Sequence, residues 1–273
     1  MNFLAVIQAR TGSTRLPGKI MMDLAGKPQL QRVVERVCKS ELVDHVMVAT
    51  TDQEDDIAVV EFCNRIGVDV YAGSKDDVLD RYYRAALPFH PDYVVRVTGD
   101  CPCFDAALLD DAIRQMEPGF DYLGMLTESF PDGLDLEIIR FTALERSWEE
   151  ARMSSQREHV TQYIVRNPDL FRLQNYESSI GYHGDERWTV DEPEDYELVR
   201  AIFEHFADEG RDDFGYADIL SFLDANPELR ALNARFSRNE GLAKSLNEDR
   251  IVGCSRQQSI KVSAGMLGVE EVD

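Results

Sequence analysis

Residues 5–20 read Ala5-Val-Ile-Gln-Ala-Arg10-Thr-Gly-Ser-Thr-Arg15-Leu-Pro-Gly-Lys19-Ile20. The apolar beginning of this stretch predicts a buried strand, because a short apolar run bounded by turn residues is typical of one. Glycine, serine and proline then interrupt the run and predict a loop. Three cations are spaced through that loop. The rest of the chain is therefore best interpreted around a strand that leads into a cationic loop.

The composition of this loop predicts a phosphate-binding site. Gly12 and Gly18 let the backbone approach a ligand, and the hydroxyl of Ser13, with nearby amide groups, can surround phosphate oxygens. The cations supply charge for a polyanion. Residues 1–27 hold four cations and one acid, whereas the formal net charge of the chain is −22. A bound phosphate chain is the simplest explanation, and a basic surface loop is the alternative.

The spacing of the glycines excludes the two common nucleotide motifs for this loop. A Walker A motif requires G-x-x-x-x-G-K-[ST], but here five residues separate Gly12 from Gly18, and Ile20 follows Lys19. The loop does not match the dinucleotide pattern G-x-G-x-x-G either. A phosphate-binding loop of another kind remains.

Composition limits the partners of the protein. The chain has 273 residues, 44% of them hydrophobic, which is enough to bury the core of a substantial domain. A pI of about 4.6 argues against binding to nucleic acid or to an anionic membrane, since both require basic surface. We find no run of the roughly 18 apolar residues that span a membrane, and no signal peptide. Five cysteines without a framework pattern suit a reducing compartment, so we expect a cytoplasmic protein.

Hydrophobic periodicity predicts an α/β fold: a mostly parallel, Rossmann-like sheet sandwiched by helices. In the first half, predicted strands alternate with predicted helices, namely strands at 3–7, 45–50, 68–71 and 93–98 and helices at 30–38, 55–66, 78–87 and 106–116. The middle is less regular. We predict strands at 121–126, 134–140 and 187–190, an extended segment at 171–176, and helices at 141–152, 158–165, 194–206 and 216–223.

The organisation predicted from this pattern is one domain with an extension. The domain comprises residues 1–230, within which the irregular segment 120–185 is the candidate for acceptor binding and dimerisation. Residues 231–273 form a C-terminal extension, of which 253–273 is expected to be a mobile tail.

Two aspartates are candidates for a metal site. Asp100 and Asp191 each follow a predicted strand and precede a turn that contains proline. In an open parallel sheet, ligands lie outside the carboxyl ends of the strands, so the two carboxylates could converge there. Mg²⁺ prefers oxygen ligands and bridges phosphates. The alternative for each aspartate is a turn or helix-capping role.

Other polar residues are candidates for binding nucleotide or acceptor. Arg81 adds a cation at the beginning of a predicted helix. Asp135 and Glu137 alternate along a predicted strand and therefore share a face, as Arg157 and His159 would if they were locally extended. Together with Arg187, these four form a candidate acceptor site; the alternative is solvated surface.

The ordered set of motifs resembles the sugar-acid cytidylyltransferases, whose best-known member is CMP-KDO synthetase. The resemblance covers about residues 3–206, and the full set is similar to the branch named for the spore coat polysaccharide biosynthesis protein SpsF. The motifs that carry it are the loop Arg10-x-x-Ser13-x-Arg15-Leu-Pro-Gly-Lys19, Gly26-Lys-Pro28, Asp77-Val-Leu-Asp-Arg-Tyr82, Gly99-Asp100-x-Pro102, Asp132-Gly-Leu-Asp-Leu-Glu137, Glu158-His-Val-Thr161 and Thr189-Val-Asp191-x-Pro-Glu-Asp195. Arg238-Asn-Glu-Gly241 looks similar to a late motif of some members.

The resemblance implies a nucleotide-diphospho-sugar transferase fold that binds CTP and Mg²⁺. It implies that Arg10, Ser13, Arg15 and Lys19 grip the triphosphate and that Asp100 and Asp191 are the metal ligands. It further implies that Gln8 and Ala9 contact the nucleotide, and that Thr51 and Asp52 border the base.

These expectations combine into an Mg²⁺-dependent cytidylyltransferase. It would transfer CMP from CTP to a sugar acid or phosphorylated acceptor and release pyrophosphate, in the biosynthesis of a surface polysaccharide or glycan. Arg10, Arg15, Lys19 and Asp100 are the expected catalytic residues, and a homodimer is expected by analogy. The alternatives are a glycosyltransferase that uses a nucleotide sugar and a nucleotide-binding protein without catalytic activity.

Overall fold

A computed structural model describes residues 1–252 of the chain. Within this range the strands are β1 (Phe3–Gln8), β2 (Asp23–Leu24), β3 (Lys27–Pro28), β4 (His45–Thr51), β5 (Asp69–Gly73), β6 (Tyr93–Thr98), β7 (Tyr122–Gly124), β8 (Glu137–Arg140) and β9 (Leu173–Asn175). The α-helices are α1 (Gln29–Val37), α2 (Ile57–Ile66), α3 (Val78–Ala86), α4 (Ala106–Gln115), α5 (Phe141–Glu150), α6 (Ser154–Glu158), α7 (Gln162–Val165), α8 (Pro193–Asp208), α9 (Tyr216–Ala225), α10 (Pro227–Arg230) and α11 (Glu240–Asn247).

Seven strands form one sheet in the order β5-β4-β1-β6-β8-β7-β9. Strands β5, β4, β1 and β6 are parallel neighbours, and β7 is parallel to β9. Only β8 runs against its neighbours β6 and β7. Strands β2 and β3 form a separate antiparallel pair. The predicted mostly parallel α/β sheet is confirmed, with one reversed strand in its irregular half.

The first strand is apolar throughout because both faces of the sheet are covered. Phe3, Ala5 and Ile7 pack into one buried cluster with side chains of α1, α2, α4, α8 and α9. Leu4 and Val6 pack on the opposite face with side chains of α3, α5 and α7. This double burial places the end of β1, and the loop that follows it, at the centre of the sheet edge. No helix within residues 1–252 is long and apolar enough to cross a membrane.

Two elements of the middle segment differ from the prediction. The helix predicted at 158–165 is split into α6 and α7, and the backbone between them contains Val160 at φ 22°, a value that a helix does not accommodate. The strand predicted at 187–190 is reduced to a single bridge between Asp132 and Arg187. The amide groups of residues 188–190 do not continue the ladder, because Trp188 and Thr189 both donate to the carbonyl of Asp132 and Val190 donates to that of Asp100.

The C-terminal extension contains α11 and returns to the body of the protein. The boundary at residue 230 stays a prediction, and the mobile tail predicted at 253–273 lies outside the described residues.

Candidate active site

The carboxyl ends of β1 and β6 open into a cleft of about 500 Å³. Its walls come from distant parts of the sequence: residues 8–20 after β1, residues 96–101 at the end of β6, residues 132–137, residues 158–162, residues 187–191 and residues 237–242. A cleft at this edge is where an open parallel sheet places its ligands.

The cationic loop is fixed at both ends by hydrogen bonds. The backbone N–H and the hydroxyl of Thr11 both donate to the Asp56 carboxylate at 2.7 Å. At the other end the N–H of Gly18 donates to the Thr11 carbonyl at 3.0 Å. Gly18 has φ 71°, a left-handed conformation that glycine adopts without strain. These bonds fix the conformation of the loop beside the cleft.

Lys19 connects the loop to both candidate metal ligands. Its Nζ donates to Asp100 Oδ2 at 3.0 Å, to Asp191 Oδ1 at 2.7 Å and to the Val190 carbonyl at 2.7 Å. Burial alone would lower the pKa of Lys19, but the two carboxylates raise it above its usual value. Burial acts against ionisation of Asp100, yet Lys19 lowers the pKa of this carboxyl to about 2. Lys19 and Asp100 are therefore both charged at neutral pH.

The structure thus brings the two predicted metal ligands together around one cation. Both present carboxylate oxygens, the donor type that Mg²⁺ prefers. Residues 1–252 contain no group of three or more His, Cys, Asp or Glu side chains that could hold a metal ion. Two carboxylates nevertheless suit Mg²⁺, because this ion usually takes one or two from the protein and the rest of its ligands from phosphates and water.

The remaining cations predicted to bind the nucleotide differ in whether they form ion pairs. Arg15 forms ion pairs with Asp191 at 2.9 Å and with Glu192 at 3.3 Å. Arg10 and Arg81 also line the cleft, and neither forms an ion pair in the part of the chain that the structure describes. Arg81 donates to the Ser74 carbonyl at 2.7 Å. Positive charge without a carboxylate partner is therefore available to a phosphate chain.

Not every residue predicted for nucleotide binding lines the cleft. Gln8, Ala9, Gly12 and Ser13 do, in addition to the cations. Thr51 and Asp52 lie outside it. The hydroxyl of Thr51 instead donates to Asp56, the same carboxylate that fixes the cationic loop. Thr51 therefore helps to fix the Asp56 carboxylate, and through it the cationic loop.

The opposite side of the cleft is formed by carboxylates paired with arginines. Arg187 donates to Asp132 at 2.7 Å and to Asp195 at 2.9 Å, and reaches Asp191 at 3.4 Å. Burial and the neighbouring Asp135 raise the pKa of Asp132 to about 7, although Arg187 opposes the shift.

Sequence reasoning did not assign a role to Asp132 or Asp195, although both belong to quoted motifs. The signal for Asp195 is its place at the start of a helix after proline: it accepts from the N–H groups of Asp191 and Glu192 at 3.0 and 2.9 Å. Gly133 allows this wall to close, because a Cβ there would lie 2.5 Å from the backbone nitrogen of Thr189.

Four of the five candidate acceptor residues line the cleft: Asp135, Glu137, His159 and Arg187. Glu137 pairs with Arg96 and accepts from the Tyr122 hydroxyl at 2.9 Å. Burial lowers the pKa of His159, so its imidazole is neutral at pH 7.

Arg157 does not line the cleft. It lies in α6 rather than in an extended segment, and its guanidinium is buried against Asp77 at 2.6 Å and donates to the Trp148 carbonyl at 2.7 Å. These contacts fix α6 to the start of α3.

Residues 237–242 also belong to the wall of the cleft. The only sequence signal for them was the late motif Arg238-Asn-Glu-Gly241.

Comparison with known proteins assigns this architecture to a class. A cytidylyltransferase from Leptospira borgpetersenii has a similar structure, with a TM-score of 0.79 and 32% sequence identity, covering 84% of this chain and 97% of that one. The sheet and its cleft are those of a nucleotidyltransferase.

The sequence identifies the family within this class. The family model described as cytidylyltransferase matches residues 4–217, and the chain belongs to that family. The spore coat polysaccharide biosynthesis protein SpsF of Bacillus subtilis is 34% identical over 240 residues, 83% of this chain and 96% of that protein. The 3-deoxy-manno-octulosonate cytidylyltransferase of Geobacter sulfurreducens is 40% identical over 116 residues, 42% of this chain and 46% of that protein.

Proposed function

We propose that the protein transfers CMP from CTP to a sugar acid and releases pyrophosphate, in the biosynthesis of a polysaccharide. The observation that carries the proposal is the joining of Lys19, Asp100 and Asp191 at one end of a cleft whose loop carries further cations. Its relatives support the chemistry, since one is a cytidylyltransferase for a sugar acid and another is a polysaccharide biosynthesis protein.

The residues of the cleft divide the work of an in-line displacement. The acceptor hydroxyl gives its proton to water, its oxygen forms a bond to the α-phosphorus of CTP, and the bond from that phosphorus to the oxygen bridging to the β-phosphate breaks. Arg10, Arg15 and Arg81 bind the phosphate oxygens and orient the chain for attack. Lys19, placed between the two aspartates, stabilises the charge that develops on the leaving pyrophosphate. Asp132, Asp135 and Glu137 face the acceptor.

Mg²⁺ belongs to the proposal as the cofactor. Asp100 and Asp191 would hold it, and when bound it would neutralise phosphate charge and polarise the α-phosphate. The depressed pKa of Asp100 supports this role, because the carboxylate is ionised at any physiological pH.

Two further properties are proposed. A homodimer through residues 120–185 is supported by the exposed apolar side chains of Leu126, Ile180 and Tyr182. Light scattering would test it, and a monomer at micromolar concentration would contradict it. A cytoplasmic location is supported by the buried free thiols of Cys101 and Cys103.

The experiment that tests the reaction is a screen for pyrophosphate release. CTP and Mg²⁺ are combined with a panel of sugar acids, phosphorylated sugars and nucleotide sugars. We expect pyrophosphate only when CTP and a sugar acid are both present. Release of nucleoside phosphate from a nucleotide sugar, without use of CTP, would favour a glycosyltransferase instead. Binding of CTP without turnover of any acceptor would indicate a nucleotide-binding protein.

A further inference from the structure

The described part of the C-terminal extension runs along the cleft, and hydrogen bonds hold it at both of its ends. We call residues 233–252 the crossing segment. At its start, the amide of Asn233 donates to the Arg187 carbonyl at 2.8 Å and to Asp195 at 2.9 Å. At its end, the N–H of Val252 donates to the Arg152 carbonyl at 2.7 Å. The crossing segment therefore extends from Arg187 and Asp195 to Arg152.

Arg238 anchors the middle of the crossing segment. Its guanidinium donates to the Phe130 carbonyl at 2.8 Å and to Asp135 Oδ1 at 2.5 Å, and its side chain is only 12% exposed. Arg238 itself does not line the cleft, whereas Ser237 and Asn239 on either side of it do. Because the arginine is held in the wall, its two neighbours are held facing the ligand space.

The groups placed in the cleft by this anchor suit a polyhydroxylated ligand. Ser237 offers a hydroxyl and Asn239 an amide, both neutral groups that can donate and accept hydrogen bonds. The Asn239 amide nitrogen donates to Glu128 at 3.1 Å, which leaves its oxygen as an acceptor. Asp135 and Glu137 add carboxylate acceptors from the adjoining wall. Such a set matches the hydroxyl groups of a sugar.

The crossing segment contacts both sides of the cleft. Glu240, one residue beyond Asn239, lies 3.6 Å from Arg15 of the cationic loop. Ser245 donates to Glu158 at 2.8 Å and contacts His159 at 3.0 Å on the acceptor side. Ser237 and Asn239 flank Arg238, which binds Asp135, so they lie beside the candidate acceptor residues.

We propose that residues 237–242 are a specificity element of the acceptor site. Ser237 and Asn239 bind hydroxyl groups of the sugar acid, and Arg238 is a positioning residue that holds them through Asp135 and the Phe130 carbonyl. The inference rests on the proposed CMP transfer and names the part of the chain that recognises the acceptor.

The test compares three variants with a matched control. Asn239→Gly removes the amide without straining the backbone, since this residue has φ 59°. Arg238→Ala removes the anchor. Arg238→Lys keeps a positive charge and so restores part of it. The control is Arg235→Ala, because Arg235 pairs with Glu194 on the surface, is 68% exposed and does not line the cleft. Pyrophosphate release is measured at saturating CTP with varied 3-deoxy-manno-octulosonate as the probe, and CTP affinity is measured by calorimetry.

We expect Asn239→Gly to raise the KM for the sugar acid by about tenfold, the effect of one hydrogen bond, with the affinity for CTP unchanged. Arg238→Ala is expected to raise this KM further, Arg238→Lys to restore part of the loss, and Arg235→Ala to change neither constant. An unchanged KM in both Asn239→Gly and Arg238→Ala would overturn the inference, as would a parallel loss of CTP affinity in both. If the wild-type protein binds CTP but releases no pyrophosphate with any sugar acid of the panel, the proposed function fails first and the inference falls with it.

Discussion

Replacement of Lys19 by alanine is expected to reduce both kcat and the free energy of unfolding. The contacts of Lys19 give a separate magnitude for each effect. The ammonium lies 3.0 Å from Asp100 and 2.7 Å from Asp191, and the residue is 7% exposed. Removing one preorganised charge donor that acts mainly in the transition state lowers kcat by about 10²–10³-fold. We expect that loss for Lys19→Ala.

The effect of the same replacement on stability is expected to be moderate. Removing one partner of a fully buried ion pair costs about 3–5 kcal/mol, and an exposed pair contributes about 0–1 kcal/mol. Asp100 and Asp191 keep 30% and 22% of their side chains exposed, so their unpaired charges remain partly solvated. We therefore expect a loss of about 2 kcal/mol in the free energy of unfolding, between those limits.

The assay combines urea denaturation with pyrophosphate release at saturating CTP and acceptor. Lys27→Ala is the matched control, because Lys27 pairs with Glu35 at 2.9 Å on the surface, outside the cleft. Its kcat should equal that of the wild type. A folded Lys19→Ala enzyme with wild-type kcat would refute the role of Lys19 in stabilising the leaving pyrophosphate.

Three further predictions concern single residues. Asp100→Asn should abolish Mg²⁺-dependent activity with the fold retained, although Tm should fall because Lys19 loses a charged partner. The control Asp213→Asn, 83% exposed and outside the cleft, should keep its activity. Full activity of Asp100→Asn at ordinary Mg²⁺ would exclude the metal role. Asp132→Asn should become progressively more stable than the wild type as the pH rises from 4 to 7, by up to about 4 kcal/mol, because in this range the wild-type carboxyl ionises in the unfolded chain but is held protonated in the folded state by a pKa raised to about 7. Denaturation at both ends of that range checks this, and a pH-independent difference would contradict it. Arg157→Ala should lower the free energy of unfolding by about 3–5 kcal/mol, since it leaves Asp77 buried without its partner, and a variant as stable as the wild type would show that the pair contributes little.

The sequence predicts the parallel half of the sheet well because its signals are local. The apolar run that begins at Phe3 is buried on both faces, so no polar residue interrupts it. Strand β6 coincides with the prediction at 93–98 because Tyr93, Val94, Val95 and Val97 form a buried, mostly β-branched run around Arg96. The reversal of β8 could not be read in this way, because the direction of a strand depends on how the irregular segment 120–136 returns to the sheet.

The sequence predicted the residues of the site that follow strands. It did not predict the positions of residues that depend on tertiary contacts. Lys19, Asp100 and Asp191 follow β1, β6 and the segment before α8, so the topology brings them to one edge. Thr51 is the last residue of β4, yet its hydroxyl donates to Asp56 five residues later and not into the cleft.

Arg157 and Arg238 are positioned by residues that are distant in the sequence, with opposite effects on the cleft. The partner of Arg157 lies 80 residues away in the sequence, at Asp77, and that contact removes the side chain from the cleft. The partner of Arg238 lies 103 residues away, at Asp135, and that contact brings the C-terminal extension into it. Pairings of this range depend on tertiary structure, which no local pattern encodes.

The identity of the nucleotide is the central claim, and calorimetric titration tests it most directly. The protein is titrated in the presence of Mg²⁺ with CTP, ATP and GTP in separate experiments. We expect CTP to bind and the two purine nucleotides to bind much more weakly. Equal binding of all three, or binding of none, would contradict the assignment of the cleft to cytidylyl transfer.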